Sequence, residues 1–493
     1  MERVNTFRGR LASIVDKVDE RLGDGLEAAL CAHHARRLRR LGWDAALAPG
    51  SAGGLFGDRA PVREGNDVAV LIDGQEALTA IQAAIQGARS HVHIANWHAT
   101  PDFRLVREDG APTLRELLAE TAERVPVRLL LWAGPPVPVF QPTRRLVKQA
   151  HARFTEGSAV RCAMDARERT MHCHHEKIVI VDDEVAFVGG VDFTALEGDR
   201  HDSSDHPPDR PIGWHDLMVR VEGPAVADVA KHFHSRWTEV TGEDVPPPRV
   251  AEPAGRSTVA TLRTIPDGTY DFAPRGEFTI LDSYLRALRS ARRLIYLENQ
   301  FFWSPEIAEV LIDKLCDPPS DDFRIVLLLP RKPSNGADTT RGQLGRLFAA
   351  DHTVGNRRLL AATISTHDGQ DSCPVYVHAK LGIVDDEWMT VGSANLNEHS
   401  LFNDTEVNLA TDDRELIRET RLRLWAEHLQ RSVSEVDGDP TAVVDDCWRP
   451  IATEQAERER RGQPRTHRLT LLPGLSRRVA RLQGPLRGLL VDG

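Results

Sequence analysis

The sequence predicts an α/β protein (mixed α+β) built from two tandem homologous domains. Each is expected to be a largely parallel or mixed sheet flanked by helices, the two packing with pseudo-two-fold symmetry. Three observations carry this. First, the stretch from His175 to Gly190 aligns without gaps to the stretch from His378 to Ser393, with nine of sixteen positions identical. Both read H-x-K-x-x-x-x-D followed by glycine, and the copies lie 203 residues apart. Second, the same displacement returns about ninety residues upstream, where Ala84, Ile85, Ala88, Arg89 and Ile94 match Ala287, Leu288, Ala291, Arg292 and Leu297. A register held over that distance implies duplication of a whole domain, because a chance motif pair would not carry its upstream helix and strand along. Third, the 62 basic residues comprise seven lysines and 55 arginines, so a lysine placed identically twice, at Lys177 and Lys380, asks for a reason specific to its chemistry.

Residues 1–67 read as a helical, basic extension with a run from His33 to Arg40. The first domain is expected over 68–243. It starts with a helix, Gln75 to Ala88, at helical apolar spacing, then strands at His91 to Trp97 and Val125 to Trp132. A strand begins at the first H-x-K segment, and a helix around Val229 to Trp237 closes the domain. Residues 244–257 form a proline-rich linker. The second domain, 258–432, repeats the pattern: helix Ile280 to Ser290, strands Arg293 to Glu298 and Phe323 to Pro330, the second motif strand, and a closing helix Leu416 to Leu429. Residues 433–493 form an arginine-rich extension. From Arg461 onward it has seven arginines, one acid and interspersed leucines, a pattern that fits either an anionic bilayer or packing against the body.

A chain of 493 residues with 41% hydrophobic and 27% charged residues makes a globular core without disulfides, and disorder is excluded as its general state. The net charge of −11 argues against a nucleic-acid coat. The first twenty residues interrupt every apolar stretch with charge, giving neither signal peptide nor transmembrane span, and no later stretch reaches eighteen uncharged apolar residues. Membrane contact is therefore expected to be peripheral, on the inner face, with the protein cytoplasmic. The six cysteines form no C-x-x-C pair and are expected to be reduced thiols.

On a strand, residues i and i+2 face the same way, so His175 with Lys177, and His378 with Lys380, would project together. Two imidazoles and two ammonium groups across a pseudo-two-fold axis make a cationic pocket whose natural guest is a phosphodiester. One histidine can attack phosphorus as a neutral imidazole while its twin serves the leaving oxygen, and the lysines hold the non-bridging oxygens. An attacking imidazole profits from an acceptor on its other nitrogen. Asp216 and Glu406 fit that duty by context, 41 and 28 residues beyond His175 and His378. Asp182 and Asp385 sit at the distal strand ends and are assigned structural hydrogen bonds. The run Met171 to His175 looks like a ligand cluster, but Cys173 and His175 share one strand face and His172 and His174 the other. One ion would then need a sharp distortion or help from elsewhere, so no metal and no other cofactor is expected.

These residues resemble the phospholipase D superfamily, whose signature is two H-x-K-x-x-x-x-D motifs followed by G-G or G-S and then Asn or Asp. Here it reads His175, Lys177, Asp182, Gly189, Gly190 and Asp192, then His378, Lys380, Asp385, Gly392, Ser393 and Asn395. The resemblance extends over Val68 to Leu429. It is closest to phosphatidylcholine-cleaving members in the stretches from Gly198 to Asp202 with His206, from Ile295 to Phe302, and from Leu424 to Leu429. It implies a two-step hydrolysis to phosphatidic acid, with a phosphohistidine on His175 and His378 as the acid that later activates water. An alcohol in place of water would exchange the head group. Asp192, Asn395, Ser393 and Gly190 would support the phosphate. The family's Asn-x-Arg-Ser becomes Asn397-Glu-His399-Ser400, which bears on head-group preference or local packing. A cardiolipin synthase-like phosphatidyltransferase, or a nuclease or phosphodiesterase on another substrate, is the alternative; a nucleic-acid partner is disfavoured and a monomer favoured.

Overall fold

The computed structural model describes residues 23–48, 54–136, 141–168, 172–207, 212–334, 337–367 and 372–472. The first half contributes strands β1 (Val62–Ile72), β2 (Val92–Asn96), β3 (Val127–Trp132), β4 (Arg161–Asp165), β5 (Ile178–Val181), β6 (Val185–Gly189), β7 (Trp214–His215) and β8 (Leu217–Glu222). The second contributes β9 (Ser257–Ile265), β10 (Glu277–Phe278), β11 (Leu294–Asn299), β12 (Arg324–Leu328), β13 (Leu359–Ile364), β14 (Tyr376–Val377), β15 (Lys380–Val384), β16 (Trp388–Gly392), β17 (Glu406–Thr411) and β18 (Leu469–Leu471).

Among the described residues these form one continuous sheet in the order β18-β13-β12-β11-β15-β16-β17-β9-β1-β8-β6-β5-β2-β3-β4, with β10 beside β9 and β7 paired with β14 separately. From the central β9–β1 pair outward the two halves repeat each other. In each, three strands run parallel at the outside, β2-β3-β4 and β11-β12-β13, and the rest pair antiparallel. The sheet is thus mixed and duplicated about the β1–β9 ladder, where Val62 meets Ala260 and Arg63 meets Val259.

Alternation along the motif strands separates two cores. Ile178 and Ile180 of β5, with Leu381 and Ile383 of β15, enter one interior shared by both halves, as do the helices Val226–Thr241 and Arg414–Leu429. Val179 and Val181 face an outer core under the helices Asp73–Gln86, Leu114–Ala122 and Arg144–Thr155. Helices Thr279–Ser290 and Pro305–Cys316 cover the corresponding face of the second half. Asp182 and Asp385, both in the left-handed region, turn the chain at the ends of β5 and β15. Asp182 accepts the backbone N–H groups of Arg89, Ser90 and His91, and Asp385 those of Arg292, Arg293 and Leu294, fixing the entries to β2 and β11.

Three features refine the expected layout. Strand β1 begins at Val62, six residues before the anticipated boundary, because its first residues pair with β9. The N-terminal basic run is partly built in: in the helix over 23–41, His34 lies 2.7 Å from Glu306 and Arg37 donates to Asn403, whereas His33, Arg36, Arg39 and Arg40 are exposed; Leu38, and Trp43 just beyond the helix, join the outer core of the second half. The segment after 432 is likewise part of the body. Val436, Val444, Trp448 and Ile451 belong to the shared core, and β18 extends the sheet beside β13. Residues 473–493, with most of the leucine-rich tail, lie outside the described residues.

Trp448 is fully buried, its ring 5.7 Å from that of Trp425 and 5.9 Å from that of Tyr296. Replacing Trp448 by alanine is expected to lower unfolding stability by about 3–5 kcal/mol in urea titration, as for a large core aromatic. A change under about 0.5 kcal/mol, typical of a surface site, would mean that the segment is an appendage.

Candidate active site

The two H-x-K segments lie just ahead of their strands, β5 starting at Ile178 and β15 at Lys380. The strand predicted to begin at each histidine is displaced because those backbones pair across the molecule instead. His175 donates its N–H to the Thr405 carbonyl at 3.0 Å, and His174 bridges Thr405 in parallel. In the other half, Tyr376 and Val377 pair with Trp214 and His215, and His378 N–H donates to the His215 carbonyl at 2.8 Å. Each histidine is therefore delivered next to the segment that carries the acid of the opposite half.

Both imidazole–carboxylate pairs cross between halves. His175 Nδ1 lies 3.0 Å from Glu406 Oε1 and His378 Nδ1 lies 2.6 Å from Asp216 Oδ2, joining residues 231 and 162 positions apart. Chain order suggests the opposite, an acid following the histidine of its own half. All four side chains are nearly or fully buried. Lys177 Nζ donates to the His175 carbonyl at 2.8 Å, and Lys380 Nζ to the His378 carbonyl and to Gln300 Oε1. Each lysine is tied to the backbone of the histidine two residues earlier, which fixes both ammonium groups beside the rings.

Asp192 Oδ2 lies 3.5 Å from Lys177 Nζ, whereas Asn395 Nδ2 lies 3.5 Å from the Gln300 oxygen that also receives Lys380. Gly190 and Ser393 both lie against the acids. A Cβ at Gly190 would lie 2.0 Å from Asp216 Oδ1, so any side chain would displace that carboxylate. Ser393 Oγ donates to Glu406, and the Ser393 carbonyl lies 3.1 Å from His175 Nδ1. Ser400 Oγ holds the other Glu406 oxygen at 2.6 Å.

Asp216 is also gripped through its backbone. Asp73 donates its N–H to the Asp216 carbonyl at 2.8 Å, and its carboxylate accepts from Asp216 N–H and lies 2.8 Å from His215 Nδ1. His215 Nε2 reaches Glu298 of the second half at 2.7 Å, and Glu298 lies 3.1 Å from His428. Burial alone would strip the proton from His215, but Asp73 and Glu298 on either side hold its pKa well above the ordinary histidine value. This charged row runs behind the site from one half to the other.

Sequence reasoning gave Arg200 and Trp214 no individual role. The Arg200 guanidinium lies over the Trp214 ring, 3.0 Å from its centroid, and Trp214 packs 4.3 Å from the His378 ring. Burial lowers the Arg200 pKa to about 10, against the pull of Asp192 and Asp216. With 55 arginines in the chain, one more carries no compositional signal, unlike a rare lysine. Electrostatics differ between the acids and His378. Burial raises Asp216 to about 7, and raises Glu406 well above an ordinary carboxyl, although Lys380 and Lys177 respectively oppose the shift. Burial and the charges of Lys380, Arg200 and Lys177 hold His378 well below the ordinary value, and His175 adds to that effect. The charge of one imidazole thus bears on the other within one cationic site.

Known proteins match these regions. The family model described as "Phospholipase D" matches residues 84–213, and that described as "Cardiolipin synthase, PLD-like domain" matches 284–426. "Phospholipase D A" of Dictyostelium discoideum is 26% identical over 461 residues, covering 75% of this chain and 36% of that protein. "Phospholipase D alpha 1" of Oryza sativa subsp. japonica is 27% identical over 511 residues, covering 70% of this chain and 62% of that protein. The chain thus spans less than two thirds of the length of these relatives. In fold, it is similar to the phosphatidylserine synthase of Haemophilus influenzae Rd KW20, with a TM-score of 0.52, 12% identity, and coverage of 78% of this chain and 93% of that one. Two H-x-K-x-x-x-x-D motifs in a duplicated mixed sheet, each half matched by its own family model, make this chain a member of the phospholipase D superfamily with two such domains in tandem.

Proposed function

We propose that the chain is a phospholipase D-type phosphodiesterase that cleaves phospholipid head groups to phosphatidic acid, with head-group exchange when an alcohol replaces water. The observation that carries this reading is the crossed pair of buried imidazole–carboxylate contacts flanked by Lys177 and Lys380. His175 Nδ1 is engaged by Glu406, which leaves Nε2 to attack phosphorus. The bond from phosphorus to the head-group oxygen breaks as His378 gives that oxygen its proton. Water or an alcohol then attacks, His378 takes its proton, and the nitrogen–phosphorus bond breaks to restore His175. Lys177, Lys380 and Arg200 supply fixed positive charge for the non-bridging oxygens.

The names of the relatives support a lipid substrate, and no described helix is long and apolar enough to cross a membrane. Vesicles of mixed phospholipids should yield phosphatidic acid, and added ethanol should divert product to phosphatidylethanol. Absence of turnover on every lipid together with cleavage of DNA would reject the reading. The cardiolipin synthase description of the second family model favours a second reading, transfer to an alcohol on another phospholipid. Phosphatidylglycerol as sole acceptor would reveal it by formation of cardiolipin.

The two histidines are expected to fail differently. His175→Asn should abolish phosphoenzyme labelling, whereas His378→Asn should still accept the phosphoryl group slowly, most visibly from substrates with good leaving groups. Full activity of the His175 variant would overturn the assignment of the nucleophile.

Loading of the acid should depend on substrate. Burial and the neighbouring cations hold the His378 pKa well below the ordinary imidazole value. A phosphodiester anion offsets those charges, so the imidazolium becomes easier to form in the complex than in the free enzyme. Since the acid must be protonated, activity falls as pH rises. The descending limb of kcat, which reports the complex, should lie at higher pH than that of kcat/KM, which reports the free enzyme. The reverse order would contradict this role for His378.

A further inference from the structure

The run from Met171 to His175 looks like a ligand cluster in sequence, and a metal there is expected to need donors from another part of the chain. The fold supplies them. His172 Nδ1 lies 3.3 Å from His399 Nδ1 and 3.6 Å from Asp404 Oδ1, and one donor atom from each residue lies within 4.8 Å of the other two. Donors bound to zinc at about 2.0–2.1 Å in a tetrahedron stand about 3.3–3.4 Å apart, close to these separations.

The second half presents its two donors from opposite ends of one irregular turn. His399 begins the π-helical turn His399–Asn403, and Asp404 follows it with its N–H on the His399 carbonyl at 2.8 Å. Insertions of this kind recur at functional sites because they re-aim side chains. Asp404 Oδ1 accepts the Cys173 N–H at 2.8 Å, which holds this turn against the His172 segment. Its other oxygen, Oδ2, is buried with no hydrogen-bond partner, and Asp404 is 0% exposed. A buried carboxylate oxygen without a partner is costly, and beside two imidazoles its missing partner is a cation. His172 keeps 18% of its side chain exposed, so the site opens to solvent on that side.

We propose that His172, His399 and Asp404 form a binding site for a divalent first-row ion of the zinc class, with two imidazoles, one carboxylate and an open fourth position. It bridges the halves on the edge of the active site: His172 is three residues before His175, and Asp404 two residues before Glu406. It is distinct from the phosphodiester chemistry, none of whose proposed groups it uses. It also gives a physical role to His399, the position where the chain departs from the superfamily's arginine. Bound metal would pin the His175 segment to the turn leading into Glu406, joining the halves where the crossed pair depends on their register.

The test is direct metal binding to the full chain after removal of adventitious ions. Zinc titrated against a chromophoric chelator should bind at one site per chain and raise the thermal unfolding midpoint. Cobalt should give the visible bands of a four-coordinate nitrogen–oxygen site with no thiolate charge-transfer band, separating this set from one using Cys173. His172→Ala, at a partly exposed position, and His399→Asn should each weaken binding by on the order of tenfold or more and remove the zinc-dependent rise in midpoint. A wild-type chain that binds neither ion, binding that survives both substitutions, or a thiolate band would each overturn the proposal. Lipid turnover enters none of these readouts, so loss of the phosphodiesterase reading would leave the metal result intact.

Discussion

Everything at the centre of this molecule depends on two buried imidazole–carboxylate contacts that cross from one half to the other, His175 with Glu406 and His378 with Asp216. Neither half contains a complete pair. The crossing is enforced by backbone pairing: the segment before each motif strand bonds to the strand or turn that presents the opposite acid. A displacement of the halves by one residue would lose those bonds and leave two carboxyls and two imidazoles buried without partners. A buried polar group left without its partner costs about 1–3 kcal/mol. The seam continues behind the site as a row of buried side chains in contact with one another, Asp73, His215, Glu298 and His428.

Desolvation gives the site its asymmetry. Three corresponding positions of the two halves carry different residues, Gly190 against Ser393, Asp192 against Asn395, and Asp216 against Glu406. The smaller glycine admits Asp216 against the backbone, while Ser393 and Ser400 give Glu406 two hydroxyl donors. His378 meets Arg200 through Trp214 as well as both lysines. A duplicated fold thus holds its two imidazoles in unlike surroundings.

The extensions at both ends of the duplication proved to be structural. The helix over 23–41 caps the outer core of the second half through His34 and Arg37, and the segment after Leu429 inserts Trp448 into the interior common to both halves. The sequence left the C-terminal extension between contact with an anionic bilayer and packing against the body. In the N-terminal helix Arg37 reaches Asn403 and the Phe402 carbonyl, while Arg36, Arg39 and Arg40 stay exposed.

The amino-acid sequence by itself determined the duplication, the mixed sheet and the four basic residues, because a 203-residue register and two rare lysines survive without knowledge of folding. It also marked Asp216 and Glu406 as acids of interest. Which acid meets which histidine was decided only in three dimensions, since partners 162 and 231 residues apart are brought together by strand pairing between halves, for which linear spacing has no signature. Arg200 was hidden for a different reason: in a chain that uses arginine almost everywhere, only burial against Trp214 and the pull of nearby carboxylates distinguish it. His172, His399 and Asp404 likewise become a set only when the two halves close, because donor geometry is a property of side-chain positions, and residue order does not specify it.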